Sequence, residues 1–144
     1  MKAIRVKELW QVTGVHYVRI EAMTYGFGCP LDLEFKDDQI GSKYILVLDD
    51  KDRPISTCRI NDSQFDYAKI ERVATVSIAR AKGAGRLAIL EAEKWIKELG
   101  YNKVYISSRE AALGFYSKLG YVLDQEKEGF GTGEFVCKWV YKNI

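Results

Sequence analysis

With 144 residues, 47% of them hydrophobic and 29% charged, the chain has the composition of a soluble globular protein with one core, and residues 1–144 are read as a single domain. A formal net charge of +2 gives no reason to expect nucleic-acid binding, and no apolar run is long enough to span a bilayer. Three widely spaced cysteines (Cys29, Cys58, Cys137), one histidine and no signal-peptide core after Met1 argue against a disulfide framework or a zinc site, and for a cytoplasmic protein without a metal.

In chain order, Lys2 to Lys7 alternates and predicts a first strand. Leu9 to Met23 carries Trp10, Val12, Val15, Val18, Ile20 and Met23 at a spacing nearer 3–4 than 2, which predicts a helix. Tyr25-Gly26-Phe27-Gly28-Cys29-Pro30 breaks regular structure, and Leu31 to Asp38 is locally acidic through Asp32, Glu34, Asp37 and Asp38. Lys43 to Leu48 is a strand, Asp49 to Asp52 its turn, and Pro54 to Ile60 the hairpin partner. After a polar connection, Glu71 to Ile78 is a further strand. Ala88, Ile89, Ala92, Trp95, Ile96 and Leu99 give one apolar face to a helix from about Ala84 to Leu99, which ends at Gly100. Lys103 to Ile106 is a strand. Ser107-Ser108-Arg109-Glu110 has the form of a capping box for a helix from Glu110 to Leu119. Tyr121 to Glu126 and Glu134 to Tyr141 close the chain as a hairpin. The order describes an α/β chain with an antiparallel meander in its middle and βαβ character in its C-terminal half.

The chemistry concentrates where the strand ending near Ile78 turns into the long helix. Arg80-Ala81-Lys82-Gly83-Ala84-Gly85-Arg86 places two residues without a Cβ and three cations at a helix N-terminus, where backbone N–H groups are unpaired and the dipole is positive. That combination seats a phosphate or pyrophosphate. Gly83-Ala84-Gly85-Arg86-Leu87-Ala88 also fits the dinucleotide pattern G-x-G-x-x-A, with Ser107-Ser108-Arg109 as a 2′-phosphate selector, which gives an alternative reading as an NADP-dependent oxidoreductase. That reading ranks second. Ala79 to Lys82 lengthens the turn beyond the Rossmann form, and Lys43 to Ile78 reads as a meander rather than as successive parallel strands.

Arg80-Ala81-Lys82-Gly83-Ala84-Gly85 resembles the R/Q-x-x-G-x-G/A signature of the GNAT N-acetyltransferase superfamily, and Ala112-Leu113-Gly114-Phe115-Tyr116-Ser117-Lys118-Leu119-Gly120-Tyr121 resembles its A-x-x-x-Y-x-K-x-G-F helix end. Arg19 to Phe35 resembles the ElaA-like branch, so the likeness spans nearly the whole chain. Two positions depart from the pattern: Gly26-Phe27 stands where many members carry Glu-Gln, and Arg109 stands where Asn is frequent. The resemblance implies an α+β GNAT fold, a mixed and mostly antiparallel sheet of about six to seven strands flanked by about four helices. It also implies acetyl-CoA as cosubstrate and a small-molecule or peptide amine as acceptor, with a non-catalytic acyl-CoA-binding module as a further alternative and a homodimer admitted.

The site residues implied by the resemblance follow the cofactor. Arg80, Ala81, Lys82, Gly83, Ala84, Gly85 and Arg86 wrap the pyrophosphate. Val73, Ala74, Thr75 and Val76, splayed from the strand Val104 to Ile106, pair with the pantetheine amides, and an N–H near Thr75 or Val76 polarises the thioester carbonyl. Arg109 and Phe115 also contact the cofactor, Arg109 at the pantetheine arm or the phosphates. Tyr116 protonates the departing thiolate. Glu71 is the candidate base, placed by alternation on the same face as Val73 and Thr75. The acidic segment offers a field for a cationic amine, and the acceptor pocket is expected from Thr24 to Asp38 and Glu126 to Glu134.

Overall fold

A computed structural model describes residues 1–144. The elements are β1 (Lys2–Arg5), α1 (Leu9–Arg19) with a π-helical continuation (Ile20–Tyr25), α2 (Leu31–Glu34), β2 (Lys43–Leu48), β3 (Pro54–Asn61), β4 (Ala68–Thr75), α3 (Ala84–Glu98), β5 (Lys103–Arg109), α4 (Leu113–Lys118), β6 (Val122–Leu123) and β7 (Cys137–Asn143). The strands form one seven-stranded sheet of order β1-β2-β3-β4-β5-β7-β6. Every neighbouring pair is antiparallel except β4 and β5. This is the mixed sheet with four helices that the resemblance implies, and one parallel pair is too few for the successive parallel strands of a dinucleotide-binding half. No helix is long and apolar enough to cross a membrane.

The two sheet faces carry different elements. Cys58 of β3 sits under α3, its thiol 3.7 Å from the carbonyl of Ala88. Ala88, Ile89, Ala92 and Ile96 supply the apolar stripe of that helix and are buried to 0% exposure, which explains the 3–4 spacing read from the sequence. The opposite face takes α1. There Gly14 lies so close to β2 that a Cβ would stand 2.9 Å from Leu46 Cδ2, so the residue that weakens the helix locally is the one that lets it dock.

Four boundaries differ from expectation. The α1 helix does not break at Tyr25; it widens into a π turn and runs on through Phe27, leaving the helix at Gly28. β4 stops at Thr75 rather than Ile78: Val76 N–H still reaches Ile55 O at 3.0 Å, and Ser77–Ala79 then curls into a 3₁₀ turn. Ser107-Ser108-Arg109 is not a capping box. β7 supplies cross-strand partners to the end of β5, with Ser107 opposite Trp139 and Arg109 opposite Cys137, so these residues are strand, and the following helix is only a 3₁₀ turn (Glu110–Ala112) plus α4. In the closing hairpin, β6 is reduced to Val122–Leu123, and residues 124–136 form a long loop over the sheet.

Candidate active site

Parallel β4 and β5 pair only at Ala68 opposite Val104 and Lys69 opposite Tyr105. Beyond that point the strands part, leaving the β5-facing edge of residues 70–75 and the β4-facing edge of residues 106–109 without a neighbour. The notch opens into a cavity of about 780 Å³, lined by those two edges, by Gly83, Ala84, Gly85 and Arg86, and by Phe115 and Tyr116.

Hydrogen bonding fixes which backbone groups face the notch. Val76 N–H donates to Ile55 O, which makes that pair a hydrogen-bonded one. The next pair, Ser56 and Thr75, is then the non-hydrogen-bonded kind. Thr75 therefore turns its N–H and C=O away from β3 and toward the open edge, where the Arg80 Nε reaches its carbonyl at 3.4 Å. Of the two amides expected near the thioester, only that of Thr75 is free. Val76 is a correction: its N–H is consumed, its side chain is 4% exposed, and it does not line the cavity.

A bulge corrects the reading of Glu71 as well. Arg59 is opposite Glu71, but Ser56 is opposite Thr75. Five residues on β4 thus match four on β3, with Arg72 at φ 53 in the left-handed region. An extra residue reverses the alternation, so Glu71 and Thr75 are on opposite faces. Thr75 faces α3, and Glu71 faces α1. Glu71 is held there by Arg59 Nη2 at 2.7 Å and Asn61 Nδ2 at 3.0 Å.

On the α3 side the glycine turn is built as the sequence suggests. Ala81 and Gly83 have φ of 60° and 87°, and Gly83 is the N-cap of α3. The first helical bond is Leu87 N–H to Gly83 O, and no group of the protein accepts from the amides of residues 81–86. Gly85 brings this turn against the cavity wall, where a Cβ would lie 3.4 Å from both the Phe115 ring and Thr75 Oγ1. Arg80, Lys82 and Arg86 are exposed around it, and none has an acidic partner; Lys82 stands outside the cavity lining. Tyr116 is 6% exposed, edge-on to Phe115 and Tyr121 at 5.0 and 5.9 Å. Burial holds its hydroxyl pKa far above the ordinary tyrosine value, with no hydrogen-bonding group contributing.

The α1 side holds a different set. The acidic segment is not an open field: Glu34 is buried and Asp38 half-buried against Arg19, with Arg19 Nε to Glu34 Oε1 at 3.0 Å and Arg19 Nη1 to Asp38 Oδ2 at 2.5 Å. Asp38 also accepts from Arg59 Nη1 at 2.8 Å and from the Tyr44 hydroxyl. Arg72 approaches Asp37 at 3.3 Å. The chain of contacts runs Glu34, Arg19, Asp38, Arg59, Glu71 and fixes the last of these at the cavity. The cavity wall on this side adds Met23, Phe130, Phe135, Cys137 and Trp139. Glu34, Lys36, Asp37 and Phe130 come from the two stretches expected to form the pocket; Phe135, Cys137 and Trp139 lie beyond them. Arg19 and Arg59 carried no signal in the sequence, because their partners are 12–21 residues away.

Arg109 also belongs to this side. Lys69 is opposite Tyr105 and Arg109 opposite Cys137, so alternation from Glu71 puts Ser107 and Arg109 on the α1 face. Its guanidinium lies 4.6 Å over the Phe27 ring and 5.9 Å from that of Phe135. It is on the cavity wall but on the face of the sheet away from the glycine turn, which departs from the expectation of a phosphate contact. No group of three or more His, Cys, Asp or Glu is placed to hold a metal ion.

The family model for acetyltransferases (GNAT) matches residues 10–121. The Bacillus subtilis N-acetyltransferase YjcF, itself uncharacterized, is 28% identical over 92% of this chain and 94% of its own length. Among solved structures, a Lactobacillus plantarum protein superposes with a TM-score of 0.89 at 22% identity, covering 99% of this chain and 97% of that one. Escherichia coli ElaA superposes with a TM-score of 0.81 at 16% identity, covering 99% of each chain. A GNAT family acetyltransferase from Elizabethkingia anophelis, solved with acetyl-CoA bound, gives 0.75 at 12% identity over 99% of this chain and 97% of that one. At these identities the structural likenesses establish the fold.

Proposed function

The chain belongs to the acetyltransferase (GNAT) family, and we propose that it transfers an acetyl group from acetyl-CoA to a primary amine of a small molecule or peptide by direct attack in a ternary complex. The observation that carries this reading is the notch between β4 and β5, which runs onto six unaccepted amides at the start of α3. The amides of residues 81–86, with Arg80, Lys82 and Arg86, bind the pyrophosphate. The open edge of Val73, Ala74 and Thr75 takes the pantetheine amides in place of a strand, with Phe115 against the same arm. Thr75 N–H points into the notch and holds the thioester carbonyl, whose oxygen gains negative charge as the amine adds.

The acceptor enters from the α1 face, opposite the pyrophosphate seat, because Glu71 is on that face. An alkyl ammonium with a pKa of about 10 must shed a proton before it can attack. Glu71 draws the ammonium in and takes the proton, directly or through a water. The amine nitrogen then bonds to the carbonyl carbon and the carbon–sulfur bond breaks. Tyr116 gives its phenolic proton to the sulfur as coenzyme A leaves, and the second proton, shed by the nitrogen as it becomes an amide, restores the phenol through solvent. Burial keeps its hydroxyl neutral above the ordinary tyrosine range.

Calorimetry against coenzyme A, acetyl-CoA and NADPH, paired with free-thiol release over a panel of amines, tests this. The expected result is binding of both coenzyme A species and thiol release that depends on an amine. Binding of NADPH with none of coenzyme A would overturn it, and binding without release would leave a module that holds acyl-CoA without turnover.

A further inference from the structure

The other half-buried or buried arginines are neutralised within the chain: Arg5 by Glu91 and Glu98, Arg19 by Glu34 and Asp38, Arg59 by Asp38 and Glu71, and Arg72 by Asp37. Arg109 has no carboxylate. Its guanidinium carbon lies 4.6 Å over the Phe27 ring and 5.9 Å from that of Phe135, and no group of the protein accepts from its N–H donors, which are left for a ligand in the cavity. A planar fork with unused donors matches a carboxylate in bidentate geometry.

The register gives the offset along the strands between this cation and the carboxylate across the notch. Glu71 is two residues past Lys69, level with Ser107, so Arg109 is two residues further along β5, roughly 6–7 Å by strand rise. Two long side chains at that offset can hold the two charged ends of one small zwitterion. Between them the wall is aromatic, through Phe130 and Trp139, whose rings stand 5.9 Å apart. The phosphates of a cofactor are provided for elsewhere, by the cations of the glycine turn on the other face.

We propose that the acceptor is a primary amine bearing a carboxylate beside its amino group and an apolar or aromatic body, as a hydrophobic α-amino acid does, and that Arg109 is the residue that binds the carboxylate. The ammonium end meets Glu71, and the body lies on Phe130 and Trp139. This inference rests on the acetyl-transfer reading of the same cavity.

The test uses matched pairs, phenylalanine against 2-phenylethylamine and leucine against isopentylamine, in the thiol-release assay with acetyl-CoA. Wild type is expected to favour the carboxylated member of each pair. Arg109→Gln should lower kcat/KM for phenylalanine on the order of 10- to 100-fold, leave 2-phenylethylamine within about twofold, and leave the KM for acetyl-CoA unchanged. Arg109→Lys, which keeps the charge but not the fork, should recover part of the loss. Calorimetry of N-acetylphenylalanine against the protein, with and without coenzyme A, reads the carboxylate site without turnover; binding should be lost in Arg109→Gln. A raised KM for acetyl-CoA with unchanged amine discrimination would assign Arg109 to the cofactor and overturn the inference. So would a wild-type preference for the carboxylate-free amines. Failure to bind coenzyme A would instead sink the acetyl-transfer reading, while the N-acetylphenylalanine titration still decides the role of Arg109.

Discussion

Replacing Arg19 by Met keeps most of the side-chain volume and removes the charge at the centre of the ion network behind Glu71. Arg19 is 1% exposed and Glu34 2%. The substitution deletes bonds to Glu34 Oε1, to the Glu34 carbonyl at 2.6 Å, and to both oxygens of Asp38. Loss of one partner from a buried ion pair costs about 3–5 kcal/mol, most of it the desolvation of the charge left behind. Asp38 keeps Arg59 and Tyr44, whereas Glu34 keeps Arg72 at 3.9 Å and the Cys29 thiol at 3.8 Å, so the expected loss is about 3 kcal/mol, the lower end of that range. Equilibrium urea unfolding reads it as a lower midpoint at unchanged slope, and a melt as a fall of roughly 10 °C. The loss should depend on pH. Burial pushes the Asp38 carboxyl up, but its bonds to Arg19 and Tyr44 and the charge of Arg59 outweigh it and leave it below the usual carboxylate range. Such a group stabilises the fold above its unfolded pKa of about 3.9, and the contribution disappears as pH falls through the folded value. Wild type and variant should therefore differ most above about pH 5 and converge toward pH 3. A loss under about 1 kcal/mol, or one that persists undiminished at pH 3, would refute the account of Arg19 as the counter-charge of a buried acid pair.

Tyr116→Phe should lower kcat on the order of 10- to 100-fold with the KM for acetyl-CoA unchanged; a retained kcat would leave Tyr116 as packing between Phe115 and Tyr121. Because burial raises the Tyr116 pKa, the wild-type rate should climb as the acceptor ammonium deprotonates and show no fall on the alkaline side up to about pH 10; a downturn there would place an acid of lower pKa in its role. The double variant Arg80→Ala, Arg86→Ala should weaken coenzyme A binding roughly tenfold and flatten its salt dependence, measured by calorimetry at two ionic strengths. Gly83→Ala meets only Met1 Cε, at 4.0 Å, but must hold φ 87°, so thermal unfolding should show a loss of about 1–2 kcal/mol; no loss would mean that the turn relaxes.

What the sequence made legible was local. Alternation located β2 and β3, the 3–4 spacing located α3, and the two motifs brought Gly83, Gly85, Phe115 and Tyr116 to one cavity. What it hid depends on partners far along the chain. Ser107 to Arg109 look like a helix start until β7, some thirty residues later, pairs with them. Glu34 and Asp38 look like solvated acids until Arg19 and Arg59 fold over them. The bulge at Arg72 left no mark in residue type, because arginine does not announce a positive φ, and it alone moved Glu71 to the face from which an acceptor would come. Arg109 was misplaced for a related reason: its side depends on a strand end read as a helix cap.

The two-rung junction between β4 and β5 also has a mechanical side. It divides the sheet into plates, β1 to β4 and β5 with β7 and β6, that share only Ala68–Val104 and Lys69–Tyr105 as rungs. A ladder with its rungs at one end behaves as a hinge, and two plates so joined can flex about that line at little expense in backbone hydrogen bonds. A molecule laid along both open edges supplies the missing rungs and turns the pair into one stiff body. If the gap receives a cofactor as proposed, its departure after the reaction frees them again, and the same gap gives the sheet a way to loosen its grip.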